Sequence, residues 1–217
     1  MKPMQLSVYL IADEQLCRDR GLMATIDAAV EGGATIVQVR APELPGGQLY
    51  EEVNEIVRRL AKTDVPVIVN DRVDVAVAAG AQGVHVGQSD LPPTAVRAVA
   101  GPDMIVGLSA RTPAHVATLA QLPPGTVDYI GTGPAFATTT KSDTAPPIGP
   151  SGIQRIVATS PLPVVGIGGI DLKNASQIYE TGVAGVAVAS AICSAKDPTA
   201  AARGLRLAAD RREVAPR

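Results

Sequence analysis

AAVEGGATIVQVR, at residues 28–40, shares its plan with VAVAAGAQGVHVG at 75–87 and IYETGVAGVAVAS at 178–190. Each segment ends a helix, turns at a glycine and continues into an apolar strand. Glycine suits this turn because the residue after a helix end often adopts a left-handed backbone that is costly for other residues. The repeated unit therefore predicts helices that lead directly into parallel strands.

Eight short apolar runs rich in β-branched residues recur along the chain. Runs in which apolar residues are contiguous are typical of strands buried on both faces of a parallel sheet. They lie at residues 7–12, 34–40, 65–70, 83–87, 104–109, 127–131, 162–168 and 183–190. With helical segments between them in 217 residues, they predict a single-domain α/β fold, a (βα)8 TIM barrel. An open doubly wound sheet is the alternative, although the first strand lacks the glycine-rich dinucleotide fingerprint.

Composition excludes several classes of partner. The formal net charge is -2, from 19 basic and 21 acidic residues, which gives no field for nucleic acid or an anionic membrane. Aromatic content is 2%, so base stacking is poorly provided for. The apolar run at 6–12 is too short for a membrane span and is followed at once by charged residues, unlike a signal peptide. We expect no nucleic-acid partner and no membrane partner.

The two cysteines indicate the compartment. Cys17 and Cys193 have no spacing typical of a metal site or a disulfide framework, so free thiols in the reducing cytoplasm are expected.

No linker or low-complexity segment interrupts the chain, which predicts one domain over residues 1–217. The end, from about residue 208 to 217, is predicted to be a helix end and a frayed tail.

Polar residues follow most of the predicted strands. In parallel α/β folds the carboxyl ends of the strands carry the chemistry, so these residues should meet at one rim. Two carboxylates, several cations and hydroxyls, and two glycine-lined turns favour a site for Mg²⁺ and a diphosphate. The set comprises Gln38, Arg40, Asn70, Asp71, Gln88, Asp90, Ser109, Arg111, Thr138, Thr139, Thr140, Lys141, Gly168, Gly169 and Ser190.

Some of these residues also have a purely structural interpretation. Asp71 could cap the helix that follows it, and Ser190 could cap the helix that it starts. The residues 138–141 could be an ordinary polar loop. Gly168 and Gly169 could form only a tight turn, although glycine also lets backbone N–H groups approach a phosphate closely.

Arg40, His85 and His115 also have alternative interpretations. Arg40 could be a surface residue, but Gln38 shares its face of the strand, which favours the barrel mouth. His85 lies inside an apolar strand and is interpreted as a core histidine with its hydrogen bonds satisfied. His115 falls in a predicted helix, where a surface position is expected.

In their order and spacing, the stretches at 69–91, 106–110, 128–149, 164–170 and 185–192 resemble thiamine phosphate synthase. The resemblance covers nearly the whole chain. It implies a (βα)8 barrel that joins hydroxymethylpyrimidine diphosphate to hydroxyethylthiazole phosphate, giving thiamine monophosphate and pyrophosphate. It also suggests a homodimer.

Carried over by position, the resemblance implies roles for individual residues. Asp71 and Asp90 would hold Mg²⁺ and Gln38 would lie near the pyrimidine. Contacts to the diphosphate would come from Arg40, Asn70, Ser109 and Lys141, of which Arg40, Ser109 and Lys141 form the catalytic set. The thiazole phosphate would meet Thr138, Thr140 and the backbone at Gly168, Gly169, Ala189 and Ser190.

The implied chemistry is a dissociative substitution. The pyrimidine C–O bond breaks, the ring stabilises the resulting cation, and the thiazole nitrogen captures it. That nitrogen carries no proton, so neither a general base nor a protein nucleophile is required. The protein must neutralise the departing pyrophosphate, align the two rings and exclude water.

The chain departs from the family pattern at two positions. The family usually has a lysine two residues after Arg40, where this chain has Pro42, and commonly a histidine where this chain has Arg111. We hypothesise that Arg111 restores part of the missing charge.

Three rival functions remain open. A thiazole tautomerase relative shares the barrel but does not need the Asp71 and Asp90 pair or the Thr-x-Thr-Lys loop. A sugar-phosphate epimerase would not need the two magnesium carboxylates. Because Pro42 replaces a cation of the family pattern, the chain could also be a non-catalytic paralogue that binds thiamine precursors without turnover.

Overall fold

Eight parallel strands close into a barrel in the computed structural model, which describes residues 4–138, 140 and 146–214. Each strand pairs with its neighbour in sequence, and the last returns to the first. The closed barrel confirms the predicted fold, and the open doubly wound alternative is wrong. The strands are β1 (Val8–Asp13), β2 (Ile36–Arg40), β3 (Val67–Asn70), β4 (Gly83–Val86), β5 (Ile105–Ser109), β6 (Tyr129–Thr132), β7 (Val164–Ile167) and β8 (Gly185–Val188).

Helices cover the outside of the barrel and connect its strands. They are α1 (Glu14–Cys17), α2 (Leu22–Glu31), α3 (Gly46–Leu60), α4 (Val73–Ala78), α5 (Pro93–Ala100), α6 (Pro113–Leu119), α7 (Gly149–Thr159), α8 (Ala175–Tyr179), α9 (Ser190–Cys193) and α10 (Pro198–Val214). Within the described ranges, no helix is long and apolar enough to cross a membrane. Cys17 and Cys193 are buried and free.

The repeated helix-to-strand turn has the geometry that its sequence predicts. Gly33, Gly80 and Gly182 follow α2, α4 and α8 with φ angles of 103°, 67° and 89°. Only glycine adopts these angles without steric cost, so the three positions let each helix end and the next strand begin within a few residues.

The last helix extends further than the sequence indicates. Helix α10 continues to Val214, through most of the segment from 208 onward for which a frayed tail was expected, while residues 215–217 lie outside the described part. Leu205 and Ala209, one turn apart, are both buried, because α10 packs against α2 and α8. An Arg206 to Asp210 ion pair of 2.9 Å spans the same turn on the outer side.

Side chains alternate between two layers, as period-two strands require. One set packs between the barrel and the helices, and a smaller set fills the barrel interior. The interior cluster includes Tyr9, Tyr129, Ile36 and Ile68, all almost fully buried. Gly107 faces these rings, and a methyl group there would collide with Tyr129 and His85. Glycine at this position therefore leaves the space that the larger side chains occupy.

Candidate active site at the carboxyl rim

Two adjoining cavities open at the carboxyl ends of the strands, with volumes of about 470 and 250 Å³. Arg40 and Ser109 line both cavities. The smaller cavity is also lined by Gln38, Asn70, Asp71 and Asp90, and the larger by Gln88, Arg111, Thr138, Thr140, Gly168, Gly169, Ala189 and Ser190. Every predicted site residue within the described ranges thus reaches one rim. Thr139 and Lys141 lie outside those ranges, and the roles of all these residues stay predictions.

Asp71 occupies an unusual backbone conformation after β3. Its φ of 62° makes it the one non-glycine residue of the described chain with a left-handed backbone, a conformation that aspartate and asparagine tolerate better than most residues. Asn70 Nδ2 donates to Asp71 Oδ2 at 2.6 Å, and the Asp71 side chain is exposed. The N-cap of α4 is Arg72, with no side-chain cap, so Asp71 does not serve as the cap.

Asp90 closes the loop that follows β4. Its Oδ2 accepts a hydrogen bond of 2.7 Å from the backbone N–H of Gly87, and its side chain faces solvent and the smaller cavity. The loop holds the carboxylate at the rim, next to the strand that carries Asp71.

These two carboxylates match the preferences of Mg²⁺. Among the residues that the structure describes, no cluster of three or more His, Cys, Asp or Glu side chains could hold a metal ion. Asp71 and Asp90 offer two hard oxygen donors at the smaller cavity, which suits a Mg²⁺ ion that keeps water and takes phosphate oxygens for its remaining positions. A zinc-type cage of nitrogen and sulfur ligands would not fit this donor set.

Arg40 is held by an acidic residue that sequence reasoning missed. Its Nη1 donates to Asp13 Oδ2, and Asp13 is only 3% exposed. Asp13 also caps α1, since its Oδ1 accepts from the N–H of Leu16 at 3.2 Å. The Nε of Arg40 is buried without a hydrogen-bond partner in the described chain. The guanidinium is thus fixed on one side and can donate to an anion at the junction of the two cavities.

A chain of five hydrogen-bonded side chains crosses the barrel beneath the smaller cavity. Gln38 Nε2 donates to Tyr9 Oη at 2.7 Å, and Tyr9 Oη lies 2.7 Å from Tyr129 Oη. Tyr129 Oη lies 3.0 Å from His85 Nδ1, and His85 Nε2 lies 3.0 Å from Ser109 Oγ. His85 therefore has the satisfied hydrogen bonds that were predicted, but it is half-buried and lines the smaller cavity, so the core position predicted for it is wrong. Sequence reasoning missed both tyrosines, because each stands in an apolar strand where an aromatic ring is ordinarily core.

Burial governs the ionisation of these phenols. Desolvation raises the pKa of Tyr9 and of Tyr129 well above the usual range for tyrosine. Both phenols therefore keep their protons at every pH at which the protein is expected to work.

Two glycines form the turn after β7. Gly168 and Gly169 have φ angles of 94° and 65°, and a methyl group on either would come within 2.6 Å of the loop after β6, at Pro134 or at the carbonyl of Ala137. The turn is therefore both left-handed and closely packed, and glycine satisfies both conditions. Its backbone is open to the larger cavity.

The larger cavity is also lined by hydroxyl and cationic groups. The backbone N–H of Thr140 donates to Thr138 Oγ1 at 3.3 Å, and both side chains are half-buried. Ser190 begins α9 without capping it. Arg111 is exposed, and its N–H donates to His115 Nδ1 at 3.4 Å. His115, for which a surface position was expected, is half-buried and lines the cavity.

Comparisons with known proteins match most of the chain to one family. A family model described as thiamine monophosphate synthase matches residues 8–192. Thiamine-phosphate synthases from Azorhizobium caulinodans and Xanthobacter autotrophicus are 46% and 48% identical, over 94% and 95% of this chain and 95% and 97% of theirs. A solved structure, thiamine phosphate pyrophosphorylase from Pyrococcus furiosus, has a TM-score of 0.87 at 33% identity, and covers 96% of this chain and 98% of its own.

Proposed function

Because the chain belongs to the thiamine monophosphate synthase family, we propose that its rim joins hydroxymethylpyrimidine diphosphate to hydroxyethylthiazole phosphate. The products are thiamine monophosphate and pyrophosphate. The observation that carries this function is the match over nearly the full length of curated relatives at 46 to 48% identity. The convergence of two carboxylates, an arginine and a serine on one rim supplies the groups that this reaction needs.

The two cavities suggest how the substrates divide the site. Arg40 and Ser109 line both cavities, so the diphosphate would lie at the junction, with the pyrimidine in the smaller cavity near Gln38. Thiazole phosphate would occupy the larger cavity, with its phosphate against the backbone at Gly168 and Gly169. This division would bring the reacting carbon of one substrate towards the nitrogen of the other across the junction.

Asp71 and Asp90 would hold Mg²⁺, which supplies positive charge against the diphosphate when it is bound. The chain's own donors act on the same group. Arg40 would donate to the leaving oxygens, and its ion pair with Asp13 keeps the guanidinium oriented before the substrate arrives. Ser109 would add a hydroxyl donor, and Lys141 a second cation. No side chain needs to accept a proton from the thiazole nitrogen, which has none.

One assay separates this function from its rivals. The protein is supplied with both phosphorylated precursors and Mg²⁺, and pyrophosphate and thiamine monophosphate are measured together. Equal amounts of the two products are expected. Isomerisation of a thiazole precursor without coupling and without Mg²⁺ would favour the tautomerase relative. Binding of both precursors without either product would favour the non-catalytic paralogue.

Arg111 is expected to supply part of the positive charge that the family's lysine provides at the position of Pro42. Its exposed side chain lines the larger cavity, as Arg40 and Ser109 do. We expect Arg111→Gln to raise the KM for the pyrimidine diphosphate about tenfold, as for the loss of one charge-assisted hydrogen bond. The KM is measured at saturating thiazole phosphate. Arg155→Gln, on the outer helix α7, serves as the control, and an unchanged KM in Arg111→Gln would refute the compensation.

Compartment and assembly are proposed on separate grounds. The two buried free thiols are compatible with the reducing cytoplasm, which we propose as the location. A homodimer is proposed from the family resemblance alone, and sedimentation of the purified chain would test it. A net charge of -2 supports the absence of a nucleic-acid partner.

A further inference from the structure

The hydrogen-bonded network through the barrel interior joins two residues that line the cavities of the rim. Gln38 stands at one end and Ser109 at the other, and Tyr9, Tyr129 and His85 connect them through contacts of 2.7 to 3.0 Å. Both phenols are almost fully buried, at 2% and 0% exposure. Since the five residues come from five different strands, the barrel itself holds the chain together.

Proton counting leaves two possible directions for these hydrogen bonds. Each neutral phenol has one proton to donate, and a neutral imidazole donates from one nitrogen and accepts at the other. If Tyr9 donates to Tyr129, then Tyr129 donates to His85 Nδ1, and His85 Nε2–H donates to Ser109. If Tyr129 donates to Tyr9 instead, every later bond reverses and Ser109 must donate inward to His85.

The orientation of the Gln38 amide sets the direction of the hydrogen bonds in the network. Gln38 Nε2 donates to Tyr9 Oη, which leaves the Tyr9 proton to be placed. Tyr129 Oη, at 2.7 Å, is the acceptor that the described contacts provide for it. A buried hydroxyl without an acceptor is costly, so with the Gln38 amide in this orientation Tyr9 donates to Tyr129 and the remaining bonds follow in the same direction. Turning the amide over would place its carbonyl oxygen at Tyr9 and reverse every bond.

We propose that Tyr9, Tyr129 and His85 are positioning residues that hold Ser109 as a hydrogen-bond donor towards the diphosphate while Gln38 turns its carbonyl oxygen to the pyrimidine. This inference rests on the proposed function. An anion requires a donor, and in the reverse direction Ser109 would present only lone pairs to it. One network thus contacts both ends of hydroxymethylpyrimidine diphosphate, through Gln38 at the pyrimidine and Ser109 at the diphosphate. A change at either residue alters the hydrogen bond that the other offers to the substrate.

The tautomer of His85 shows the direction of the hydrogen bonds in the network, and it can be measured without enzyme activity. The chain has two histidines, so ¹⁵N NMR of the imidazole nitrogens gives two sets of signals, which the His115→Asn variant assigns. Spectra are recorded with the full chain, alone and with Mg²⁺ and inorganic pyrophosphate as the probe. We expect neutral His85 protonated at Nε2 in the presence of pyrophosphate. Protonation at Nδ1, or on both nitrogens, would overturn the proposal, whatever the coupling assay shows.

Variants of the two tyrosines in the hydrogen-bonded network test its effect on binding of the pyrimidine diphosphate. In Tyr129→Phe the Nδ1 partner is lost, so His85 should become a mixture of tautomers. The KM for the pyrimidine diphosphate should rise about tenfold, as for one lost hydrogen bond, while the KM for thiazole phosphate stays within about twofold. Tyr9→Phe removes the link to Gln38 but keeps the Tyr129 contact with His85 Nδ1, so it should raise the same KM less than Tyr129→Phe does.

The control is a buried phenol outside the network. Tyr179 Oη donates to the carbonyl of Ser7 at 2.7 Å, on the far side of the barrel wall. Tyr179→Phe should lower the melting temperature without changing the His85 tautomer or either KM. If Tyr129→Phe keeps a pure Nε2–H tautomer and a normal KM, or if Tyr179→Phe shifts both, Tyr129 has only a structural role.

Discussion

Replacing Asp71 by asparagine is expected to lower kcat/KM for coupling by about three orders of magnitude, within the several kcal/mol that a catalytic metal contributes. Asparagine keeps the size of the side chain and tolerates the left-handed backbone, whose φ is 62° at this position. The change therefore removes one charge from the proposed Mg²⁺ site and leaves the fold intact. Initial rates are measured across a Mg²⁺ titration, in which the variant should need much higher concentrations to approach its maximum.

Asp74→Asn is the matched control for this substitution. Asp74 lies three residues further along and is paired with Arg72 at 2.6 Å, an interaction that lowers the pKa of its carboxyl group. It faces solvent and lines neither cavity of the rim. Its variant should keep the wild-type Mg²⁺ response and, because exposed ion pairs contribute little, nearly the wild-type stability. If Asp71→Asn responds to Mg²⁺ as the wild type does, Asp71 is not a ligand.

Replacing Arg40 by glutamine is expected to lower kcat/KM about a hundredfold, the usual cost of one donor to a developing negative charge. The variant should also lose about 3 kcal/mol of the free energy of unfolding, because Asp13, at 3% exposure, would remain as a buried carboxylate without its partner. Coupling rates and urea denaturation measure the two effects on the same preparation.

The double variant Arg40→Gln with Asp13→Asn separates the two effects. Asparagine removes the buried charge and can still cap α1 through its side-chain oxygen. Most of the lost stability should return, while coupling should stay about a hundredfold slower. Recovery of coupling together with stability would mean that Arg40 contributes only to folding.

The barrel could be predicted from local signals. Gly33, Gly80 and Gly182 mark the turns, and the contiguous apolar runs mark the strands, because burial on both faces leaves a pattern that is visible within each segment. The rim residues were predictable for a related reason. In a parallel barrel the carboxyl end of every strand faces the same way, so the sequence position of Asp71 or Ser109 is enough to place it.

The supporting contacts could not be predicted in the same way. The Tyr9 to Tyr129 hydrogen bond joins residues 120 positions apart, and an aromatic residue in an apolar strand is usually a core residue. The role of Asp13 depends equally on its register, since it lies opposite Arg40 only because β1 and β2 pair in the observed alignment. Such contacts depend on how strands align across the barrel, which no single segment encodes.

The most direct test is anomalous diffraction from crystals grown with Mn²⁺, pyrophosphate and thiamine monophosphate. The ion should lie between the carboxylates of Asp71 and Asp90, with the pyrophosphate bound to it and within hydrogen-bonding distance of Arg40 and Ser109. An ion bound elsewhere on the molecule, or pyrophosphate held in the larger cavity away from Arg40, would contradict this arrangement.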